Sequence, residues 1–309
     1  MFGVFGVLAA AVLWGTVGPA QVLAGSAADP GALGVLRLLV GGAALGVVTL
    51  RHFPWRQLAQ RDTLRWLVLA AAATGVYQAT FLYAVAETGA ALGTAVALGC
   101  APVATGICAR WWLRERLTRA WVAGTVGAVA GCVLILSPAG SGEVSATGIA
   151  YAVVSGTCYG VYTVAAKGFL DADVPAVGAV ALTLLLGGVL LSPLLLLSPR
   201  HLLEPDSVAL IGWIGLAGTA VAYVCFVRGL HHVTASNAGT LSLAEPLTAA
   251  ALGVLVLGER LNGNALVGSA LLLIGLLVVS VTPGRALRRA TADARTRRSS
   301  ARPRPRGAR

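Results

Sequence analysis

The sequence predicts an all-α integral membrane protein with ten transmembrane helices, arranged as two inverted five-helix repeats. Three observations support this fold class: the composition, ten long apolar segments, and a pattern that returns after 144 residues. Hydrophobic residues make up 57% of the 309 residues and charged residues only 11%, with a mean hydropathy of +0.81. Soluble domains carry roughly 25% charged residues. No soluble core could bury this much apolar surface, so most of the chain is expected to be solvated by lipid.

A helix that crosses the membrane needs about 20 apolar residues. The first segment has no Lys or Arg before it and is longer than the hydrophobic region of a signal peptide, so we expect it to be retained as a helix. Gly15, Gly18 and Pro19 indicate that this helix can bend. The ten predicted segments lie near residues 2–24, 31–50, 64–86, 90–110, 118–137, 145–167, 175–197, 207–228, 234–257 and 263–282.

An internal repeat relates the two halves of the chain. Pro246 follows Pro102 by 144 residues, and Leu257–Leu261 matches Leu113–Leu117 at four of five positions with the same offset. The turn before each proline recurs at that offset as well, which indicates duplication. Function is expected where the halves meet. The predicted boundaries are 1–140 for the first repeat, 141–283 for the second repeat and 284–309 for an arginine-rich tail.

The basic residues predict that both termini lie on the cytoplasmic side. Even-numbered connections between segments hold most of the Lys and Arg, whereas odd-numbered connections hold only Arg200 and Arg260. Because each repeat has an odd number of helices, the second repeat must enter the membrane upside down relative to the first. Inverted repeats of this kind build secondary transporters with the substrate site near the midplane.

Two other features have local explanations. The tail holds ten of the Arg residues, and we expect it to be disordered and to contact anionic lipid headgroups rather than nucleic acid. The five Cys lie inside apolar segments without a Cys-x-x-Cys pair, so they predict neither a disulfide nor a metal site. We expect no cofactor, no metal and no catalytic residue.

Short motifs in both halves together carry a resemblance to a known family. They are Trp14-Gly15, Arg37-Leu38-Leu39, Tyr83-Ala84 through Ala90-Ala91, Pro102, Arg114–Leu117, Asn237, Glu245-Pro246 and Gly258–Leu261. With this set the chain resembles the drug/metabolite transporter superfamily, specifically an EamA-type ten-helix permease. The resemblance implies that helices one to four and six to nine surround a central cavity, with the fifth and tenth outside it. It also implies movement of amino acids, metabolites or drugs, mostly outward. His231-His232 and the tail depart from the family pattern.

Aromatic residues inside the segments are candidates for lining the cavity. They lie too deep for interfacial anchors, although packing or lipid-facing roles are the alternative. Tyr77 and Phe81 share a helix face at i, i+4, and Gln78 adds an amide beside them. Asn237 is included because it lies on about the same helix face as Glu245. The cavity candidates are Trp14, Tyr77, Gln78, Phe81, Tyr159, Tyr162, Tyr223 and Asn237.

Arg37 and Glu245 are the two ionisable residues well inside the segments, and they are the candidates for coupling or gating. Arg37 would face anions at the outer mouth, or else snorkel outward or bond helix-end carbonyls. Glu245 precedes Pro246, which cannot donate to the carbonyl of Ser242. Its carboxyl would serve proton coupling or bind a substrate amine, or else bond a neighbouring helix structurally.

Glu115 and Glu259 are interpreted as structural rather than catalytic. Each precedes a helix start, where an acid complements the helix dipole and where Thr118 or Asn262 is the expected N-cap.

The sequence therefore predicts a secondary transporter that exports small metabolites, amino acids or drugs across the cytoplasmic membrane by alternating access, with proton coupling as one option. An importer or passive facilitator of the same substrates is the alternative, and a non-transporting membrane protein is the third. An intramembrane enzyme would need clustered His, Asp or Glu, and Glu245 is the only acid deep in a segment. The expected partners are a small-molecule substrate and the bilayer, and the oligomeric state is left open.

Overall fold

The protein is seen in a computed structural model that describes residues 2–58, 60–137, 145–172, 174–197 and 200–281. All the regular secondary structure in these ranges is helical. Nine helices of the described ranges are long and apolar enough to cross a membrane, and Ala176–Leu191 is a shorter apolar helix. The all-α membrane fold predicted from the composition is confirmed.

Ten helices correspond to the ten predicted segments. They are α1 Phe2–Ala24, α2 Pro30–Thr49, α3 Arg61–Thr88, α4 Ala90–Trp112, α5 Arg119–Leu136, α6 Ala146–Asp171, α7 Ala176–Leu191, α8 Pro205–Leu230, α9 Ala235–Leu255 and α10 Gly263–Val281. The seventh segment was predicted to continue to residue 197, but α7 ends at Leu191 and a separate short helix follows from Pro193. A proline ring cannot extend the helix before it, which explains the division.

Polar side chains fix several helix starts by accepting hydrogen bonds from free amides of the first turn. Thr118 Oγ1 accepts from the Trp121 amide at 3.0 Å, and Asn262 Oδ1 accepts from the Ala265 amide at 2.8 Å. Both N-caps predicted from the sequence are thereby confirmed. The other side-chain caps are Asp29, Ser145 and Thr234.

Three of the long helices are irregular in the middle. In α1 the helix is interrupted at Thr16, whose hydroxyl donates to the carbonyl of Leu13 at 2.7 Å. In α8 the nine residues Trp213–Val221 form a π-helix, and such segments frequently occur at functional sites. In α9 the helix is interrupted at Ser242 and Leu243. At the interruptions of α1 and α9, backbone amides bond carbonyls three residues back, as Thr16 does to Leu13 and Glu245 to Ser242.

Small residues bring neighbouring helices into backbone contact. A Cβ atom on Gly275 of α10 would lie 2.5 Å from the carbonyl oxygen of Gly124 on α5, so these two helices pack through glycine. The other extensive pairings include α3 with α6, α4 with α6, α2 with α7, α1 with α8, α2 with α8 and α3 with α7.

The two ends of the bundle can be told apart by charge. The connections after α2 and α4, with the helix turns that flank them, hold eight arginines, and Lys167 and Arg228 lie near the ends of α6 and α8; we call this side the basic end. Contacts place these connections together, since Lys167 Nζ at the end of α6 donates to the carbonyl of Leu230 at the end of α8. At the opposite end, the Ser145 hydroxyl donates to the Glu87 carboxylate at 3.1 Å. The predicted repeat boundary at 140/141 and the tail 284–309 lie outside the described residues and stay predictions.

Candidate functional site

Aromatic side chains from four helices meet in the interior of the bundle. Trp14 of α1 is buried, and its ring centroid lies 6.4 Å from that of Tyr159 on α6 and 5.6 Å from that of Tyr223 on α8. Tyr77 of α3 lies 6.3 Å from Tyr159 and stacks on Phe81 at 5.8 Å. The six rings named from the sequence therefore belong to one cluster, since Tyr162 also lies 5.7 Å from Tyr223.

Four rings of the cluster are less deeply buried than the other two. Tyr77, Phe81, Tyr159 and Tyr223 keep partial exposure although they pack on one another between helices. The rings behind them, Trp14 and Tyr162, are buried. The partly exposed rings come from α3, α6 and α8, and those of Tyr77 and Tyr159 touch each other across α3 and α6.

The interruption of α9 lies beside the ring cluster, and Pro246 contributes to it. Without an amide hydrogen, Pro246 leaves the carbonyl of Ser242 free, and the Glu245 amide takes it at 3.0 Å instead. The Leu243 amide likewise bonds the Thr240 carbonyl three residues back, at 3.1 Å. This short tightened turn separates the two halves of α9. It is supported from α6, because the Tyr159 hydroxyl donates to Ser242 Oγ at 2.7 Å.

Glu245 follows the interruption directly and is partly exposed. Its carboxyl interacts electrostatically with Arg37 of α2 and with the cluster residues Tyr77 and Tyr159. Within the described part of the chain no salt bridge joins Arg37 to Glu245. The guanidinium and the carboxyl therefore lie near the rings without direct contact with each other.

Three buried polar groups of the site have no hydrogen-bond partner among the described residues. They are Nε1 of Trp14, Nε of Arg37 and the hydroxyl of Tyr162. Buried polar groups are nearly always paired in folded proteins, so such donors are available to a ligand or to water. The arrangement can therefore bind a small molecule through ring faces, one guanidinium and one carboxyl.

Two candidates lie at the margin of this arrangement. Gln78 is buried against Gly34 of α2, where a Cβ would overlap the Gln78 amide nitrogen. Gly34 lies three residues before Arg37 on the same helix face, so Gln78 neighbours the guanidinium side of the site. Asn237 lies in the first turn of α9 at the basic end, before the interruption, and has no ring contact or side-chain hydrogen bond among the described residues.

Sequence reasoning missed two residues of the site. Phe226 is fully buried with its ring 5.4 Å from Trp14, and it follows Tyr223 by three residues, a helical spacing that could have identified it. Ser242 was not among the predicted cavity residues, although Pro246 was expected to leave its carbonyl free. Its role as hydrogen-bond acceptor from Tyr159 has no sequence signal, because the two residues are 83 positions apart.

The predicted interaction of Glu115 with the start of α5 is wrong. Glu115 was expected to complement the dipole of α5, which follows it, but its carboxylate accepts from the amides of Ala235 and Ser236 at 2.8 and 3.1 Å and from Ser236 Oγ at 2.7 Å. The chain leaves α4 through Arg114 in the left-handed region, at φ 54°. This reversal carries Glu115 to the start of α9, and Thr118 caps α5 without it.

A concave surface lies away from the cluster. A groove of about 760 Å³ at the basic end is lined by residues of α1, α6, α7 and α8, including Phe2, Phe5 and Arg228. His231 and His232, also on its rim, are exposed, and no group of metal-ligating residues occurs among the described residues.

Comparisons with known proteins agree on one family. The model of the EamA-like transporter family matches residues 1–137 and 146–281. An uncharacterized transporter of Bacillus subtilis strain 168, YwfM, is 39% identical over 279 residues, covering 90% of this chain and 93% of the relative. The uncharacterized inner membrane transporter YicL of Salmonella typhimurium strain LT2 is 24% identical over 299 residues, covering 93% and 98%. A solved crystal structure of another protein has a similar fold, with a TM-score of 0.78, 23% identity, and coverage of 92% of this chain and 98% of that one.

Proposed function

The chain belongs to the EamA-like transporter family, and from that membership we propose that it exports small metabolites, amino acids or drugs across the cytoplasmic membrane by alternating access. Membership makes it a multi-pass membrane transporter rather than an enzyme. The observation that carries the proposal is the carboxyl of Glu245, which follows the interruption of α9 and interacts electrostatically with Arg37 and with the rings Tyr77 and Tyr159. Discontinuous helices with ionisable groups near the midplane are typical of secondary transporters.

The proposed architecture is two inverted repeats, 1–140 and 141–283. Local backbone geometry supports it. Arg114 and Gly258, which are 144 residues apart, both adopt positive φ, at 54° and 70°. After each of them, a glutamate amide bonds back to the preceding helix, Glu115 to the Ala109 carbonyl and Glu259 to the Gly253 carbonyl. A duplicated helix ending supports duplication of the whole unit.

The groups around the ring cluster indicate the chemistry of the substrate. Arg37 offers a partner for a carboxylate or another anion, and Glu245 offers a partner for an amine. The faces of Tyr77 and Tyr159 accept apolar or aromatic groups and can also stabilise a cation. A small zwitterion with an apolar side chain, such as an amino acid, satisfies all of these groups at once.

Orientation follows from the arginines, with the basic end in the cytoplasm. Single cysteines in place of the exposed residues Arg116 and Asp206, in a cysteine-free background, test it in intact cells. The Asp206→Cys variant should react with an impermeant thiol reagent, and the Arg116→Cys variant should be shielded. Reaction of position 116 from outside would overturn the inverted arrangement.

Glu245 is proposed to carry the coupling proton. An exchanger needs a group inside the membrane that gains and loses a proton, and arginine stays charged at any accessible pH. Glu245 is the acid at the site. An importer or a passive facilitator of the same substrates is the alternative, and it differs in the response to an imposed pH gradient.

The test is a counterflow assay in proteoliposomes with a panel of radiolabelled amino acids, organic amines and organic acids. We expect uptake of at least one zwitterion when the vesicles are preloaded with it unlabelled, and no uptake in protein-free vesicles. The Tyr159→Ala variant should lose most of this exchange, while the Tyr83→Ala variant, altered at an exposed ring, should keep it. Equal exchange by both variants would contradict the assignment of the cluster as the binding site.

A further inference from the structure

The N-terminus of α9 is held by a carboxylate from the other half of the chain. The first amides of a helix have no partner within the helix and carry the positive end of its dipole. Glu115 accepts from two of these amides, those of Ala235 and Ser236, and from the Ser236 hydroxyl. We call this arrangement the basic-end cap. Hydrogen bonds to a charged acceptor are among the stronger ones in proteins, so the cap fixes where α9 begins.

Other cross-helix bonds keep the same end closed. Lys167 donates to the carbonyls of Leu230 and Val233 at 2.9 and 3.2 Å, so a cation holds the end of α8 while Glu115 holds the start of α9. Trp121 Nε1 of α5 donates to the carbonyl of Ser236 at 3.0 Å. Deeper along the same contact, Gly239 of α9 lies directly against Thr105 of α4.

The start of α4, at the opposite end, corresponds to the start of α9, but no carboxylate in the described part of the chain caps it. Counting back 144 residues from Ala235 and Ser236 gives Ala91 and Leu92, at the start of α4. The start of α4 has no side-chain cap and no acidic residue in its first turn. Glu259, the match of Glu115, is exposed, and its carboxylate has no hydrogen-bond partner among the described residues.

We propose that Glu115 is a positioning residue that closes the basic end by capping α9, and that Glu259 caps Ala91 and Leu92 on α4 when the protein closes at its opposite end. The inference rests on the proposed alternating access. In each state one glutamate caps the helix of the other repeat and its counterpart is free. The observed structure is then the state closed at the basic end and open at the opposite end.

The two caps differ in strength. Leu92 has no hydroxyl to match Ser236, so the opposite-end cap has one donor fewer. Lys167 also has no charged counterpart, because the residue 145 positions before it is Val22. Without substrate, the state closed at the basic end is therefore the more populated one.

Two matched reporters measure which end is closed, in purified protein without cysteines of its own. Thr105→Cys lies buried behind the basic-end contact, and Ala249→Cys, 144 residues later, lies half-buried on the second half of α9. Each is reacted with N-ethylmaleimide under identical conditions. Adding Glu115→Gln should raise the reaction rate at position 105 by roughly tenfold and lower that at position 249, as expected for loss of charged hydrogen bonds.

Glu259→Gln is the matched control with the same change of charge, and it should leave position 105 protected. Ser236→Ala, which removes only one of the three bonds, should shift both rates in the direction of Glu115→Gln but less. Thermal unfolding of each variant separates misfolding from a shift between states, since unfolding would raise both rates together.

The inference is overturned if Glu115→Gln and Glu259→Gln give the same two rates, or if Glu115→Gln leaves position 105 as protected as in the parent. The assay uses neither substrate nor flux. A labelling result that contradicts the proposed capping therefore does not affect the counterflow result. If the counterflow assay shows no transport, the labelling rates can still be interpreted.

Discussion

Helices α4 and α9 are matched in sequence at an offset of 144 residues, yet they differ at their centres. Pro102 lies inside an uninterrupted α4, whereas α9 is interrupted at Ser242 and Leu243, shortly before Pro246. The residue before each proline differs as well, since Ala101 in α4 corresponds to Glu245 in α9.

The difference shows that a proline alone does not interrupt a helix in this protein. In α9 the freed carbonyl belongs to Ser242, whose hydroxyl donates to the Ala238 carbonyl at 2.9 Å and accepts from Tyr159. The matching residue in α4 is Leu98, which has no such groups. The duplicated halves therefore share a backbone plan, while the polar chemistry is concentrated in the second copy of the helix.

The largest expected effect comes from removing the prolines. Pro246→Ala restores an amide that can bond the Ser242 carbonyl, so α9 should become continuous and Glu245 should move. We expect transport to fall by at least roughly tenfold, the effect typical of a misplaced functional group. Pro102→Ala in the uninterrupted α4 should keep parental transport. Equal losses of the counterflow rate in the two variants would show that transport does not depend on the interruption of α9.

The next effect concerns close contacts of the same two helices. A Cβ on Gly239 of α9 would lie 2.7 Å from Thr105, whereas a Cβ on Gly99 of α4 would meet Val129 at an ordinary 3.5 Å. Gly239→Ala should cost about 1–2 kcal/mol of unfolding free energy through overpacking. Gly99→Ala should be neutral or gain up to about 1 kcal/mol from helix propensity. Unfolding in mixed micelles measures both, and a destabilised Gly99→Ala would contradict this assignment.

The hydrogen bond from Tyr159 to Ser242 supports the interruption and should contribute less. Tyr159→Phe and Ser242→Ala should each cost about 1 kcal/mol, and the double variant should cost little more than either single one. Tyr83→Phe, at an exposed ring, serves as the control and should change stability by less than about 0.5 kcal/mol. Additive costs in the double variant would mean that the two groups act independently.

The smallest expected effect is on stability, and it comes from substitutions at Gly258 and Arg114, where the two helix endings share a positive φ. Gly258 adopts positive φ with nothing within 4 Å of a built Cβ, so Gly258→Ala should cost about 1 kcal/mol from the backbone alone. Arg114 adopts a similar φ with a side chain present, so Arg114→Gly should gain about 0.5 kcal/mol. Melting temperatures that shift in the same direction in both variants would contradict the common geometry.

Much of this architecture could be predicted from the sequence, because lipid imposes a simple pattern. Apolar length alone locates the ten helices, and only the seventh ends early, at Leu191 before Pro193. The aromatic residues could be selected because they lie at mid-depth, away from the interfaces. Which of them touch depends on helix rotation, and apolar helices with little amphipathic pattern do not reveal it.

Contacts between distant residues could not be predicted. Glu115 was assigned to the helix beside it in sequence, but its partners are 120 and 121 residues away. The interruption of α9 was signalled by Pro246, yet Pro102 gives the same signal without an interruption. In both cases the deciding groups, Ser236 and Tyr159, belong to other elements and act only once the bundle has assembled.

The central claim is that the one carboxyl at the interruption of α9 drives transport, and Glu245→Gln tests it most directly. The substitution keeps the shape and one accepting oxygen but removes the proton exchange. In proteoliposomes with an imposed pH gradient, the parent and Glu204→Gln, altered at an exposed carboxyl, should accumulate substrate above equilibrium. Glu245→Gln should reach a concentration ratio of about one while still exchanging substrate at equal pH. Uphill accumulation by Glu245→Gln equal to that of the parent at every pH would contradict the claim.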